Sequence, residues 1–362
     1  MITRERQPAN LLENNKMTST SANDNKVTTH KGFVSKEAQF RLKILISVIL
    51  LAALFLFGKI DLSRSWQAAV HANRFYLSLA CLLYLSTVVV NGYRWQLLAK
   101  AVGFSKPLLK MTQYCYVGLF FNMFLPSTVG GDVSRCYYLS KGTGKWANAF
   151  YSVLADRVIG ISILFLMAAI GIVLGPGGSK LPWQLKWPIF AGFFFVFAVL
   201  PLAPKICSLI LGKGNWLTRQ FTESAAAIYW QDKKLMATSL FWSLVLQLMI
   251  VACHILIGLA LGLTFVPVWY YFVFYPSVAV LGFVTPSFNG IGIREWAYTF
   301  FLTMMGVDQS HALTYAIIWL GLITLSGLVG GVVYMAAHLK ISKEEMESMQ
   351  HHSLEAESES VS

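Results

Sequence analysis

Apolar positions in this chain fall in long unbroken runs rather than at the three-to-four-residue spacing of a half-buried helix. The clearest cover 42–57, 75–90, 150–174, 188–203, 238–263 and 312–337, close to or beyond the roughly 20 residues that cross a bilayer core. Two further runs, 111–125 and 269–284, are too short to cross comfortably, and each ends in a Pro-Ser breaker followed by glycine. These breakers resemble each other at a distance of 160 residues. One reads Leu125-Pro126-Ser127-Thr128-Val129-Gly130-Gly131-Asp132-Val133, the other Thr285-Pro286-Ser287-Phe288-Asn289-Gly290-Ile291-Gly292-Ile293. Arg135 follows the first, and Arg294 and Glu295 follow the second. Helices broken at corresponding places in two halves of a membrane protein point to a transport site.

The pattern predicts an all-α polytopic membrane protein with about six full transmembrane helices and two re-entrant helical hairpins, about eight membrane segments in an inverted repeat. The first half takes 41–175 and the second 186–339, with an outer loop at 176–185. Residues 1–40 and 340–362 are polar and read as disordered, the latter as an acidic tail. Met17 is a second candidate start. About forty polar residues precede the first run, so it is not a cleaved signal peptide.

Composition agrees. The chain is 56% hydrophobic and 13% charged, with mean hydropathy +0.57, against about 25% charge in a soluble domain. Its five cysteines are scattered singly, and its seven histidines form no ligand pair inside the apolar part. No metal, cofactor or catalytic residue is expected. The net charge of +12 needs no nucleic acid, because anionic inner-leaflet lipid accounts for it.

Charge also orients the chain. Lys31, Lys36 and Arg41 precede the first run and Lys43 stands at its start, and Arg94, Lys100, Lys106 and Lys110 follow the second. The 204–236 loop and the stretch after the last run are basic too, which places both termini in the cytoplasm of a cell-membrane protein. The 59–74 loop, with Lys59, Arg64 and Arg74, is the weak point of that count. Trp66, Trp183, Trp187, Trp269, Tyr270 and Tyr271 are expected as interfacial belt anchors.

The chemistry concentrates at the breakers. Gly130-Gly131 permits a tight turn with open amides, Asp132 or Ser127 can cap the next helix, and Arg135 stands nearby. Ser287, Asn289, Gly290 and Gly292 rebuild that arrangement, with Arg294 and Glu295 at the helix start. Asp156-Arg157 interrupts a span, and neither residue faces lipid cheaply: a salt bridge inside the bundle or a headgroup contact would hold them. Asn91 and Arg94 are secondary candidates, Arg94 beside Trp95 reading more readily as an interfacial anchor. Gln247 and His254 read as hydrogen-bonding across helices.

At these residues the chain resembles the lysylphosphatidylglycerol synthase transmembrane (flippase-like) family. The resemblance rests on Gly92-Tyr93-Arg94-Trp95, on Phe121-Asn122-Met123-Phe124-Leu125-Pro126 with Gly130-Gly131-Asp132-Val133-Ser134-Arg135, on Asp156-Arg157, and on Gly290-Ile291-Gly292-Ile293-Arg294-Glu295. It covers about 40–340 and implies movement of aminoacylated phosphatidylglycerol between leaflets, relatives being linked to polyprenyl-phosphate sugar and hopanoid pathways. Bifunctional members carry a soluble aminoacyl-transferase domain that is not expected here, so the chain is expected not to be an enzyme. The second breaker reads Phe288-Asn289-Gly290 where relatives often show a further glycine, which leaves headgroup preference open.

Two function classes follow. The first is a flippase-like transporter of an anionic or phosphate-headed lipid, of aminoacyl-phosphatidylglycerol or polyprenyl-phosphate type. The second is the membrane component of a lipid-modifying enzyme system, where Asp132, Asp156 and Glu295 are the available acids. The expected partners are the lipid and a separate lipid-modifying enzyme, with homodimerisation open.

Overall fold

The computed structural model describes residues 62–124, 130–175, 182–210, 224–284 and 292–337. The apolar run 42–57, both termini and both breaker loops lie outside them, and with the loops Ser127, Ser287, Asn289 and Gly290.

All described elements are helical. After α1 (Leu62–His71) come α2 (Arg74–Ala101), α3 (Leu108–Phe124), α4 (Gly130–Ser140) and α5 (Trp146–Leu174). A peripheral stretch follows: α6 (Trp183–Phe194), a π turn (Phe195–Val199), a 3-10 turn (Leu200–Leu202) and α7 (Ala203–Ile210). The short α8 (Ile228–Gln231) leads into α9 (Lys233–Ala260), α10 (Val268–Val284), α11 (Ile293–Met304) and α12 (Gln309–Ala336). Five stretches are long and apolar enough to cross a membrane: Arg74–Ala101, Trp146–Leu174, Lys186–Ile210, Lys233–Ala260 and Gln309–Ala336. They contain the expected runs from 75–90 onward, save that the 238–263 and 312–337 runs overshoot their helices by a few residues.

Helix lengths repeat. The set α2–α5 has 28, 17, 11 and 29 residues, and the set α9–α12 has 28, 17, 12 and 28. At 1.5 Å per residue, α4 and α11 reach only about 16–18 Å, far short of a roughly 30 Å core. The long helices begin and end alike. Asn73 and Asp232 each cap their helix by accepting a backbone N–H, from Phe75 and Leu235. Gly103 (φ 91°) and Gly262 (φ 72°) follow the C-termini of α2 and α9 in the left-handed region.

The packing repeats as well. Helix α3 lies on α12 as α10 lies on α5; α3–α4 and α10–α11 each pack together, and so do α4–α5 and α11–α12. The central contact joins α2 and α9, which run antiparallel: Asn73 N–H bonds the Ala260 carbonyl (2.8 Å), Cys253 Sγ faces the Ala80 carbonyl (3.6 Å), and Arg94 reaches Ser243 (2.9 Å). The α3–α12 contact is antiparallel too, with Gly327 beside Met123 and Gly330 beside Tyr116. One apolar core surrounds Trp95, Leu98 and Leu139, another Tyr270, Phe274, Tyr298 and Tyr315.

Several expectations change. The 59–74 loop holds a helix, α1, bound to α12 through Ser65 Oγ to the Ser310 carbonyl (3.2 Å) and Thr314 Oγ1 to the Ser65 carbonyl (3.1 Å). Its sequence has no glycine or proline, which permits the helix. The 204–236 loop contains α7 and α8. The 188–203 run is not one regular helix. Pro201 and Pro204 lack the N–H that would bond the carbonyls four residues back, so the ladder widens to a π turn and then tightens. Trp230 Nε1 donates to the Leu200 carbonyl there (3.2 Å). Trp66, Trp183 and Trp187 are exposed as belt residues should be, but Tyr270 and Tyr271 are buried, Tyr270 donating to the Phe301 carbonyl (2.7 Å).

Candidate functional site

Helix α4 is short, and its start is pinned to α3. Asn122 Oδ1 accepts the Gly131 N–H at 2.7 Å. Gly131 must be glycine, because a Cβ would run into the Gly118 carbonyl and lie 2.7 Å from Asn122 Oδ1. This close approach turns the first faces of α4, with Asp132 and Arg135, toward α5.

There the charges join in one chain. Arg157 grips Asp132 through Nε–Oδ2 (2.7 Å) and Nη2–Oδ1 (2.9 Å), the two-pronged geometry of the strongest charge-assisted pairs. Arg135 Nη1 lies 3.3 Å from Asp132 Oδ1, and its Nη2 donates to Asp156 Oδ2 at 2.9 Å. Arg94 Nε donates to Asp156 Oδ1 at 2.8 Å; its other nitrogens reach Ser243 Oγ (2.9 Å), Asn91 Oδ1 (3.1 Å) and the Asp156 carbonyl (3.3 Å). The Arg135 guanidinium also sits over the Trp95 ring, 4.2 Å from its centre. Among the described residues three guanidiniums meet two carboxylates in this cluster, leaving one positive charge in excess.

The members differ in exposure. The side chains of Arg94, Arg135 and Asp156 are 5%, 6% and 2% exposed, and Asp132 is 12% exposed. Arg157 is 37% exposed. All five line a cavity of about 510 Å3 within the bundle. Asn91, Asn122 and Gln247 add polar atoms, while Leu164, Phe165, Leu246 and Ile250 form an apolar wall. Tyr275 donates to Gln247 Oε1 (2.7 Å) on the α9–α10 side. The cavity therefore has what an amphiphile needs: a cationic end beside a greasy wall.

Several expectations from the motif are corrected. Asp132 lies in the first turn of α4 with its carboxylate held by Arg157, and Asn122 takes the Gly131 amide. Arg94 is no interfacial anchor; it is buried in the ion network, and Trp95 is fully buried, donating to Ser152 Oγ (3.1 Å). Asp156 and Arg157 form their salt bridges across helices, each with a different partner. Gly130 and Gly131 are buried at the α4 start. In the second half, buried Glu295 accepts the Gly292 N–H at 2.6 Å and closes the start of α11, while Arg294 packs on Gly282. Neither Arg294 nor Glu295 lines the cavity. Asn122 and Ser243 belong to the site and were missed, though Asn122 had signalled itself as a lone amide in an apolar run.

The second half is a counterpart in which three of the ionic positions carry aromatic rings instead. From the start of α3 (Leu108) to that of α5 (Trp146) is 38 residues, and from the start of α10 (Val268) to that of α12 (Gln309) is 41, so beyond the breaker the spacing grows by three. Asp132 then matches Glu295, Arg135 matches Tyr298, and Asp156 matches Trp319. Before the breaker, Arg94 matches His254. These partners also meet: His254 Nε2 lies 3.3 Å from Tyr298 OH, and the His254 and Trp319 rings are 4.0 Å apart. Tyr315 OH donates to the His254 carbonyl (3.0 Å), so its oxygen accepts from Nδ1–H (2.8 Å) and Nε2 is left to accept from Tyr298. The expected cross-helix bonding of His254 and Gln247 is thus in place.

Fold and site together define a multi-pass helical membrane protein with a cationic cavity inside its bundle. A family model, the lysylphosphatidylglycerol synthase TM region, matches residues 41–331, and the chain belongs to that family. Among curated relatives, a UPF0104 membrane protein of Methanocaldococcus jannaschii is 30% identical over 184 residues, 48% of this chain and 52% of the relative. A UPF0104 membrane protein of Pyrococcus horikoshii is 26% identical over 133 residues, 35% of this chain and 39% of the relative. The matches thus span about half or less of either relative. No solved structure matches the chain.

Proposed function

We propose that this chain moves a phosphate-headed anionic lipid between leaflets, the headgroup passing through the Arg157 cavity while the acyl chains stay in the bilayer. The observation that carries the reading is the net positive charge of the ion cluster, whose most exposed member, Arg157, opens on the cavity beside an apolar wall. A net charge at membrane depth is costly, and an oxyanion held by Arg157 offsets that cost. Aminoacyl-phosphatidylglycerol and polyprenyl-phosphate-linked lipids both carry such a group.

An inverted repeat supports the reading. Helices α2 and α9, equivalent in length and caps, pack antiparallel, as a two-fold axis in the membrane plane requires. Full crossings by α2, α5 and the α6–α7 stretch put the starts of α2 and α9 on opposite faces, whether the hairpins re-enter or cross and return. Rocking of one repeat on the other would expose the cavity to each leaflet in turn, with both termini cytoplasmic. A modifying role has less support, since Asp132 and Asp156 are held by arginines and Glu295 by an amide. A separate enzyme would make or consume the lipid.

The test is exchange of a fluorescent phosphatidylglycerol in liposomes, read by quenching the outer leaflet. The chain should accelerate exchange over protein-free vesicles, and Arg157→Ala should abolish the gain. Exchange at the protein-free rate for anionic lipids of both classes would refute the proposal.

A further inference from the structure

Arg157 is not waiting with an empty guanidinium; its fork is filled by Asp132. We infer that Asp132 is a built-in stand-in for the ligand's oxyanion, and that a phosphate group binds by displacing it from Arg157. The inference rests on the reading of the cavity as an oxyanion site.

The geometry separates the arginines by task. Arg94 spends its nitrogens on Asp156, Ser243 and Asn91, and Arg135 is buried between Asp156 and the Trp95 ring. Freeing either would strand a buried charge. Arg157 has a different surrounding. Its side chain is over a third exposed and it opens on the cavity. Its two short bonds to Asp132 copy the paired contacts that a guanidinium makes with two phosphate oxygens. When a phosphate takes those donors, Asp132 keeps a charged neighbour, because Arg135 Nη1 already lies 3.3 Å from Oδ1. The exchange therefore leaves no carboxylate without a cation. One arginine–carboxylate fork becomes one arginine–phosphate fork, and the incoming charge neutralises the excess.

Such an exchange explains why the site is paired at all. A site that must release its cargo has to bind firmly enough to admit it and weakly enough to let go. A bare guanidinium in a low-dielectric cavity would hold a phosphate too tightly. Asp132 sets that balance and thus determines specificity: a headgroup without a free phosphate oxyanion cannot displace it.

The test is binding of phosphatidylglycerol to the full chain in neutral-lipid nanodiscs, with soluble sn-glycerol 3-phosphate as a second probe. Asp132→Asn, with Asp132→Ser as its backup, should tighten phosphatidylglycerol binding roughly tenfold or more, because one charge-assisted competitor is gone. The same variants should slow leaflet exchange at saturating lipid. In the wild type, a lipid-induced rise in hydrogen exchange at the start of α4 would report loss of the Asp132–Arg157 fork without any substitution. Unchanged or weaker binding in a folded variant, or a start of α4 that exchanges no faster with lipid bound, would overturn the exchange. Wild-type lipid binding lost in Arg157→Ala but unaltered in Asp132→Asn would sink the exchange and leave the transport reading standing. Tightening seen for glycerol 3-phosphate alone would keep the exchange and remove the lipid.

Discussion

Replacing Asp156 by Asn keeps the shape of the side chain and removes its charge. Asp156 is 2% exposed and accepts from Arg94 Nε at 2.8 Å and Arg135 Nη2 at 2.9 Å. The Asn oxygen can keep one of those contacts, so the direct loss is one hydrogen bond, and such bonds between helices in a bilayer average about 0.6 kcal/mol. Charge changes the scale. Arg94 would lose its only carboxylate and Arg135 would keep only Asp132, which Arg157 already grips; both guanidiniums are about 95% buried, and the local excess would rise by one. Removing one partner of a buried pair costs about 3–5 kcal/mol. At about 2–4 °C per kcal/mol for a large domain, Asp156→Asn should lower the apparent melting midpoint by at least about 6 °C. Fluorescence-detected gel filtration after heating in mild detergent measures this, and Asp156→Glu, which keeps the charge, should fall less. A drop under about 2 °C for Asp156→Asn would mean that the arginines are solvated and not held in a buried network.

Other expectations are smaller or more local. Gly131→Ala should destabilise by about 1–3 kcal/mol, since its Cβ meets the Gly118 carbonyl and Asn122, and a melting shift would check it. Asp308→Ala should cost about 1 kcal/mol by removing the cap of α12, where Oδ2 accepts the Ser310 N–H at 3.0 Å. Burial alone would raise the Asp308 carboxyl, but hydrogen bonds from His311 and from the Ser310 and His311 amides hold it below its ordinary 3.8. Its stabilising share is therefore present above that value and lost as pH falls through the lower folded one; a pH series on the melting midpoint should show the wild-type advantage over Asp308→Ala vanish at the acid end. Arg294→Ala should leave phosphatidylglycerol affinity within about threefold of wild type, because Arg294 packs on Gly282 outside the cavity.

Membrane class and the spans from 75–90 onward were legible because lipid demands long apolar runs, which no other residue choice mimics. Asp156-Arg157 was legible for the same reason: charge inside such a run is rarely tolerated without a partner. The partners were not. Arg94 lies 62 positions from Asp156, and only the packing of α2 beside α5 brings them together. The matching order of helix lengths accompanies the two Pro-Ser breakers, yet aligning on the breakers hid a three-residue difference in the spacing from α3 to α5 and from α10 to α12. That offset moved the true counterpart of Arg135 from Glu295 to Tyr298, which is why the second motif was credited with charges that stand outside the cavity. Tyr270 and Tyr271 misled in a related way. A tyrosine near a span end fits either a belt or a core, and only the neighbouring helices decide, α11 for Tyr270 and α9 for Tyr271.

Transport and exchange both require a phosphate headgroup inside the Arg157 cavity. The most direct measurement is a cryo-electron microscopy map of the chain in phosphatidylglycerol nanodiscs. Phosphate density within hydrogen-bonding distance of the Arg157 guanidinium, its acyl chains leaving along the Leu164–Phe165 wall, is the expected result. A resolved lipid annulus around a cavity that holds no headgroup, across every conformation recovered, would contradict it.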